Sequence, residues 1–370
     1  MRIGVEGRTL QGKRYGVARC LVNLLKYLVQ MGDDEYVLYL SEAIEPLGFS
    51  SPNLELEVLG FAPSLAWRHL RLPLAMRRDK VDLHFSPSYF LPLVKVCPSV
   101  VEVFDITFKV HPEWFAKDRR FIFDDIFWRE VKRAERILTT SEHSRGDIVR
   151  TLGVDPGKIT VIPAAADELF RPVDDEERLD GLRRGLGLSE GFLFTAGSIH
   201  TRRNLERLIE AAAEASRLLG SELQLLILGT PAPFTPPVDI RGTARRCGME
   251  NRVVHVEYVS EEELLLLYNA CGMFVYPSLY EGFGLPVIEA MSCGTPVACS
   301  NTTSLPEVGG EAVQYFDPLD VEEMAGAVAR IMSDAKLRGE LAEAGRSRAA
   351  TFSWRRAAEE TRRVFREAMG

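Results

Sequence analysis

Tyr276-Pro277-Ser278-Leu279-Tyr280-Glu281-Gly282-Phe283-Gly284-Leu285-Pro286-Val287-Ile288-Glu289-Ala290-Met291 passes from a short apolar run through a glycine-bearing loop into a helix. Pro286 suits the first helical turn, where a missing N–H costs little. Gly282 and Gly284 let the backbone approach a ligand closely. The open amides of that turn and the positive end of the helix dipole make a seat for a phosphate. Two carboxylates flank the seat. Glu289, about one turn inside, suits the vicinal hydroxyls of a ribose, whereas Glu281 on the loop can address a second sugar. A carboxylate that accepts from two neighbouring hydroxyls gains charge-assisted hydrogen bonds. Taken singly, the same glutamates read as solvated surface charges.

The strand, loop and helix of this stretch recur along the chain, which predicts βαβ units and a largely parallel sheet. In the first half, strands are expected at Ile3–Val5, Tyr36–Leu40, Leu54–Leu59, Leu83–Phe85, Val100–Phe104, Arg136–Thr139 and Ile159–Ile162. A second series is expected at Phe192–Ala196, Leu223–Leu228, Val253–Val256, Met273–Tyr276, Pro296–Cys299 and Val313–Phe316. Val17, Leu21, Leu24, Leu25 and Leu28 recur at helical spacing, as do Leu205, Leu208, Ile209 and Ala212. Ser260 and Glu263 stand at capping-box spacing before a helix ending near Asn269. Between the series, Asp167–Gly191 holds Pro172 and mixed charges with little apolar periodicity, the pattern of a linker. The chain of 370 residues exceeds what one core usually supports. We therefore expect an α/β protein of two doubly wound domains facing across a cleft. Residues 1–166 form the first, 167–351 the second, and 352–370 a terminal helix.

Composition bounds the function. Hydrophobic residues make up 46% and charged residues 26%, as in an ordinary globular enzyme. No apolar run reaches membrane-spanning length, and the amino terminus lacks a secretion signal, so a cytoplasmic protein is expected. The six cysteines form no Cys-x-x-Cys pair, which argues against zinc and a disulfide framework. A formal charge of -8 argues against a dedicated nucleic-acid surface.

The motif is more specific than its parts. Glu281-x7-Glu289, within Ser-Leu-Tyr-Glu-Gly-Phe-Gly-Leu-Pro-Val-Ile-Glu-Ala-Met, resembles the donor-site motif of retaining GT-B glycosyltransferases of family 4. The resemblance spans nearly the whole chain. It includes Ala196-Gly197-Ser198-Ile199-His200-Thr201-Arg202-Arg203-Asn204-Leu205, where Arg203 replaces the family's usual lysine with a planar fork. It implies donor contacts from Gly197, Arg202, Arg203, Glu281, Gly282, Phe283, Gly284, Leu285, Val287 and Glu289. Arg202 and Arg203 would stabilise the departing diphosphate. Tyr15 and Gly16 resemble the glycine loop facing the donor phosphate and the acceptor. Asp105 resembles the aspartate of a His-Asp pair whose histidine is here Phe104, and His111 is a weak substitute. Glu281, Arg202, Arg203 and Asp105 are the implied catalytic residues, and Ser300–Val308 would buttress the donor pocket.

The resemblance implies front-face transfer of a mannose- or glucose-type hexose from a nucleotide-diphosphate sugar to a saccharide or lipid-linked acceptor, in surface polysaccharide synthesis. It implies no cofactor and no metal, and the sequence lacks an Asp-x-Asp motif. A nucleotide-sugar epimerase and a nucleotide-sugar-binding protein without transfer activity remain as alternatives. Trp67–Arg71 and Phe115–Arg133 have the basic and aromatic composition of a surface that docks on the inner face of a membrane. Core-facing helices with solvated charges are the preferred reading of both.

Overall fold

The computed structural model describes residues 1–12, 16–60, 64–116, 126–233 and 235–370. Each strand read from the apolar runs is present, within two residues of its expected ends. The first seven are β1 (Arg2–Glu6), β2 (Glu35–Leu40), β3 (Leu54–Val58), β4 (Leu83–Ser86), β5 (Ser99–Glu102), β6 (Arg136–Thr139) and β7 (Ile159–Val161). They form one parallel sheet in the order β3-β2-β1-β4-β5-β6-β7. Ile3 and Val5 on β1, Leu83 and Phe85 on β4, and Val100 and Val101 on β5 are fully buried, as central strands covered on both faces require.

Two helices close one face of this sheet. Gly16–Leu28 turns Leu21, Leu24, Leu25 and Leu28 inward. Trp354–Met369 packs against that helix and against β4, β5 and β6, burying Trp354, Ala357, Ala358, Val364, Phe365 and Ala368. The Phe365 ring lies 5.2 Å from that of Phe85, and Arg362 Nε donates to Asp34 Oδ2 at 2.6 Å. The described residues of this unit fall within Met1–Val110, Arg120–Ala164 and Ser353–Gly370.

The second unit is built on β8 (Leu193–Ala196), β9 (Leu225–Leu228), β10 (Val253–Val256), β11 (Met273–Tyr276), β12 (Val297–Ser300) and β13 (Gln314–Phe316), all parallel, in the order β10-β9-β8-β11-β12-β13. Leu205–Leu219 covers one face with Leu208, Ile209, Ala211, Ala212 and Ala215, packed against Leu225, Ile227, Met273 and Val275. The expected capping box is formed. Ser260 Oγ accepts from Glu263 N at 3.2 Å, and Ser260 N donates to Glu263 Oε2 at 2.8 Å. The strand order reverses between β8 and β11, and open α/β sheets bind ligands beyond the carboxyl ends of the strands at such a switch point. Ala196 and Tyr276, the last residues of those two strands, open the two loops that carry the motifs.

Several expectations need correction or lie outside the structure. The Asp167–Gly191 linker contains a helix, Glu176–Leu186, capped by Asp175, whose side chain accepts from Arg178 N, and ended by Gly187 at φ 66°. Leu179 is its only buried residue, which is why apolar periodicity did not reveal it. Charge holds the rest, with Arg183 bonded to Asp180, Glu176 and the Ala270 carbonyl. The second unit takes Ala165–Phe352 and the described residues 111–116, so 111–116 leave the expected 1–166 unit and the seams shift by one or two residues. A π-turn, Trp67–Arg71, precedes Leu72–Arg78 and leaves Pro73 near the latter's first turn. Trp67 and Arg68 are buried, as the preferred core-facing reading of Trp67–Arg71 expects. Tyr15 and residues 117–125 lie outside the described residues, and the described helix Ile126–Lys132 buries Trp128 and Val131 in the core, as the core-facing reading of Phe115–Arg133 expects.

Phe365→Ala should destabilise the first unit by about 3–5 kcal/mol through the cavity it leaves. Urea unfolding checks this, and a loss below about 1 kcal/mol would be that of an ordinary surface position.

Candidate functional site at the switch point of the second sheet

β8 ends at Ala196 and runs into Gly197, whose φ is 131°. A Cβ on Gly197 would stand 2.8 Å from Arg203 Nη2, so glycine is needed both for the backbone angle and for the guanidinium that fills the space. The loop then makes a tight turn, Thr201–Arg203, ended by Asn204 at φ 58°. Asn204 Nδ2 donates to the Pro318 carbonyl at 2.6 Å, fixing the turn before the Leu205–Leu219 helix begins.

The β11 loop meets this turn. Leu279 N donates to the Arg202 carbonyl at 2.8 Å. Arg203 Nη1 contacts Tyr276 Oη and Glu281 Oε1 and lies 3.1 Å from Ser278 Oγ. The guanidinium carbon sits 4.8 Å from the Tyr276 ring centroid. Side-chain exposure is only 12% for Arg203 and 8% for Glu281. A charge so withdrawn from water is tolerated only with a partner and further hydrogen bonds, and the two strand ends supply them. Burial holds the Tyr276 hydroxyl well above the usual phenol range, despite the arginine beside it, so it stays protonated.

His200 lies beneath the same turn. Its Nε2 accepts from Arg202 Nε at 3.0 Å. Burial, reinforced by the charges of Arg202 and Arg203, drives its pKa down from 6.5 to about 2. The imidazole is therefore neutral and serves as an acceptor that orients Arg202.

The turn into the helix Leu285–Ser292 is set by Gly284 at φ 109°, with Pro286 in the first turn. A Cβ on Gly284 would stand 2.7 Å from Leu305 Cδ2, and Leu305 is fully buried. The Ser300–Val308 segment braces the loop. Ser304 Oγ lies 2.9 Å from the carbonyls of both Glu281 and Phe283, and Glu281 N donates to Thr303 Oγ1 at 3.1 Å. Thr303 holds φ 58°, a left-handed angle that a β-branched residue adopts only when its surroundings impose it.

The structure thus brings Gly197, Arg202, Arg203, Glu281 and Gly284 together at the switch point. Glu289 stands apart on the helix, 2% exposed, with Oε2 accepting from Tyr268 Oη at 2.9 Å. Val287 is fully buried and its amide donates to the Gly284 carbonyl, which makes it a packing residue. Phe283 is buried edge-on to Phe352 at 5.8 Å, and Leu285 is half-buried. In the first unit, Gly16 opens its helix. Asp105 Oδ1 caps a short turn by accepting from Thr107 N at 2.9 Å and Thr107 Oγ1 at 2.6 Å. The carbonyl of Phe104 accepts from Ser144 Oγ at 2.9 Å. His111 stacks on Trp114 at 4.0 Å and meets the Tyr280 ring at 5.6 Å, beside Glu281. Tyr276, Ser278, His200 and Tyr268 were not singled out from the sequence. For Tyr276 a signal existed, a phenol at the carboxyl end of a central parallel strand.

A doubly wound sheet whose switch point holds a braced arginine, a carboxylate and a helix amino terminus has the features with which open α/β sheets seat phosphorylated ligands. Residues 183–348 match the glycosyl transferases group 1 family and residues 15–168 match glycosyltransferase family 4. O-antigen chain mannosyltransferase B of Escherichia coli is 32% identical over 295 residues, 79% of this chain and 76% of that protein. The serotype-specific mannosyltransferase WbdA of the same species is 31% identical over 230 residues, 61% of this chain and 28% of that longer protein. The structure of Anabaena HepE in complex with UDP-glucose superposes with a TM-score of 0.76 at 18% identity, covering 99% of this chain and 100% of that one. The chain belongs to glycosyltransferase family 4. It has the GT-B fold and is a hexosyltransferase.

Two outcomes test the local geometry. Gly284→Ala forces both backbone angle and contact, so it should lower stability by roughly 1–3 kcal/mol, whereas Gly181→Ala, on an uncrowded helical position, should be neutral or stabilising by up to about 1 kcal/mol. Equal effects in differential scanning calorimetry would contradict this. The neutral His200 disfavours folding in acid, because below pH 6.5 the unfolded chain takes up a proton that the folded chain refuses until about pH 2. His200→Gln should therefore lose less stability than the parent between about pH 7 and about pH 5, as read from urea midpoints. Parallel curves would contradict the buried neutral imidazole.

Proposed function

We propose that the chain transfers a mannose- or glucose-type hexose, with retention of configuration, from a nucleotide-diphosphate sugar to a saccharide or lipid-linked acceptor in surface polysaccharide synthesis. The observation that carries this reading is Arg203, held at the switch point by Glu281, Tyr276 and Ser278. A cation fixed there before substrate arrives needs no reorganisation when negative charge develops on a leaving diphosphate. Two mannosyltransferases among the relatives point to the sugar class.

In this mechanism the bond between the anomeric carbon and the diphosphate oxygen breaks as the acceptor oxygen attacks from the same face. The acceptor proton passes to the departing phosphate. Arg202, oriented by His200, and Arg203 stabilise the leaving group, and the amides around Gly284 at the helix amino terminus add to them. Glu281 positions Arg203 and addresses the sugar, while the ribose role of Glu289, whose Oε2 is engaged by Tyr268, and the acceptor role of Asp105 rest on the resemblance. With two arginines on the diphosphate, the reaction needs no metal. A lipid-linked acceptor would be met at the cytoplasmic face of a membrane; among the described residues no helix is long and apolar enough to cross one.

The test is a panel of UDP-, GDP- and ADP-sugars, each with and without oligosaccharide acceptors, followed by NMR and mass spectrometry. Acceptor-dependent release of nucleotide with an α-linked product from an α-linked donor is expected. Sugar interconversion without acceptor would indicate an epimerase, and binding without turnover a non-transferring protein. With the active donor, Glu281→Ala and Arg203→Ala should each lower kcat by roughly 100- to 1000-fold, and unchanged turnover would remove them from the mechanism.

A further inference from the structure

Among the described residues, Lys80, Tyr89, Asn204 and Thr303 hold a positive φ without being glycine. Three of them have local reasons. Lys80 follows the helix Leu72–Arg78, where Val81 N donates back to the Met76 carbonyl, and a left-handed residue is ordinary at such a helix end. Asparagine tolerates the angle, and Thr303 is held by its bond from Glu281 N. Tyr89 is different. Phe90 N donates to the Ser88 carbonyl at 2.8 Å, so Tyr89, at φ 67°, is the central residue of a γ-turn in its rare and strained form. A bulky side chain at such an angle is a true outlier. Strain of this kind persists only where the surroundings impose it, and it gathers at ligand sites.

The place of Tyr89 in the fold agrees. Tyr89 stands just beyond Ser86, the last residue of β4. The order of the first sheet reverses between β1 and β4, so the strained loop leaves the sheet at its switch point. The loop is fixed from both neighbouring strands. Tyr89 N donates at 3.2 Å to the carbonyl of Glu102, which ends β5. The Phe90 ring lies 3.8 Å from the Arg68 guanidinium carbon, and Arg68 Nη2 stands 3.5 Å from Oε1 of Glu6, which ends β1. Arg68 and Glu6 are both buried. A buried ion pair adds little net stability over apolar packing, but this one pins the residue next to Tyr89. Tyr89 itself is half-buried. Its ring meets that of Phe108 edge-on at 6.4 Å, and Phe108 stacks on Trp128 at 5.1 Å, so an aromatic wall backs it. Asp105 caps the turn that carries Phe108 and is half-buried too.

We propose that Tyr89 is an acceptor-binding residue, on whose ring a pyranose unit of the saccharide acceptor stacks. The C–H bonds on one side of a pyranose form an apolar, weakly positive surface, which matches the electron-rich face of an aromatic ring. The hydroxyls at the rim of that pyranose suit a carboxylate such as Asp105. A ring whose backbone is fixed in advance loses little freedom when the ligand arrives, and the strained γ-turn is what presents it. The inference rests on transfer to a saccharide and assigns the contact that recognises it.

The test uses the full chain, the active nucleotide sugar, and α-mannotriose or maltotriose as acceptor, whichever the parent uses. Tyr89→Ala should raise the acceptor KM by roughly tenfold. Tyr89→Phe should leave it near the parent value, and the affinity for nucleoside diphosphate should be unchanged in both. Tyr89→Gly separates ring from backbone. Glycine holds the left-handed angle without strain, so this variant should melt above Tyr89→Ala and yet show the same raised KM. An unchanged KM in Tyr89→Ala would overturn the proposal, as would a KM restored in Tyr89→Gly, the mark of a backbone support, or a loss that falls on the nucleotide instead. Saturation-transfer NMR of the same trisaccharides without donor keeps this inference apart from the transferase reading. Saccharide signals that depend on Tyr89, with no transfer from any donor, would sink the transferase reading and leave the contact standing. Transfer with signals indifferent to Tyr89 would do the reverse, and a parent that neither binds nor uses either trisaccharide would overturn the proposal.

Discussion

The contact between Arg203 and Glu281 ties the second unit together at its functional end. The two residues stand on loops following different strands, and both side chains are nearly withdrawn from water. Either charge alone in that place would be costly, and a buried pair missing one partner typically loses about 3–5 kcal/mol. The pair therefore requires that β8 and β11 be neighbours, that Gly197 leave room for the guanidinium, and that the β11 loop be held in one shape. Ser304 and Thr303 supply that shape from the loop after β12. Chemistry and architecture meet because strand order reverses at the same place.

His200 shows how such a site controls its own charges. A protonatable ring beside two arginines would add a third positive charge to a region already short of solvent. Burial keeps it neutral, and a neutral nitrogen can accept from Arg202. Glu289 illustrates a different solution, a carboxylate within a helix whose oxygen is engaged by Tyr268, itself packed among Phe170, Phe194 and Phe274. Its setting is more enclosed than that of a loop glutamate.

How much of this was legible in the sequence follows the range of the forces involved. Strands such as Met273–Tyr276 and the helix face of Leu205, Leu208 and Ile209 are set by local apolar periodicity, and the Ser260 capping box by a spacing of three residues. Gly282 and Gly284 were legible as places where the backbone can approach a ligand closely. The ion pair was not, because it joins residues whose positions are fixed by strand order. Tyr276 looked like a core strand residue until its hydroxyl was seen to reach Arg203. The Glu176–Leu186 helix escaped because it buries one leucine and is held by arginine. Trp67 and Arg68 are buried, as the core-facing reading expects, on a π-turn that no helical periodicity anticipates.

The proposed transfer requires Arg203 and Glu281 to act as one element in binding the nucleotide part of the donor. Calorimetric titration of nucleoside diphosphate into the parent, Arg203→Gln, Glu281→Gln and the double variant measures this directly. A coupled pair predicts that each single change weakens binding and that the double variant is scarcely worse than either. Independent, additive losses, or affinity unchanged in all three, would contradict it.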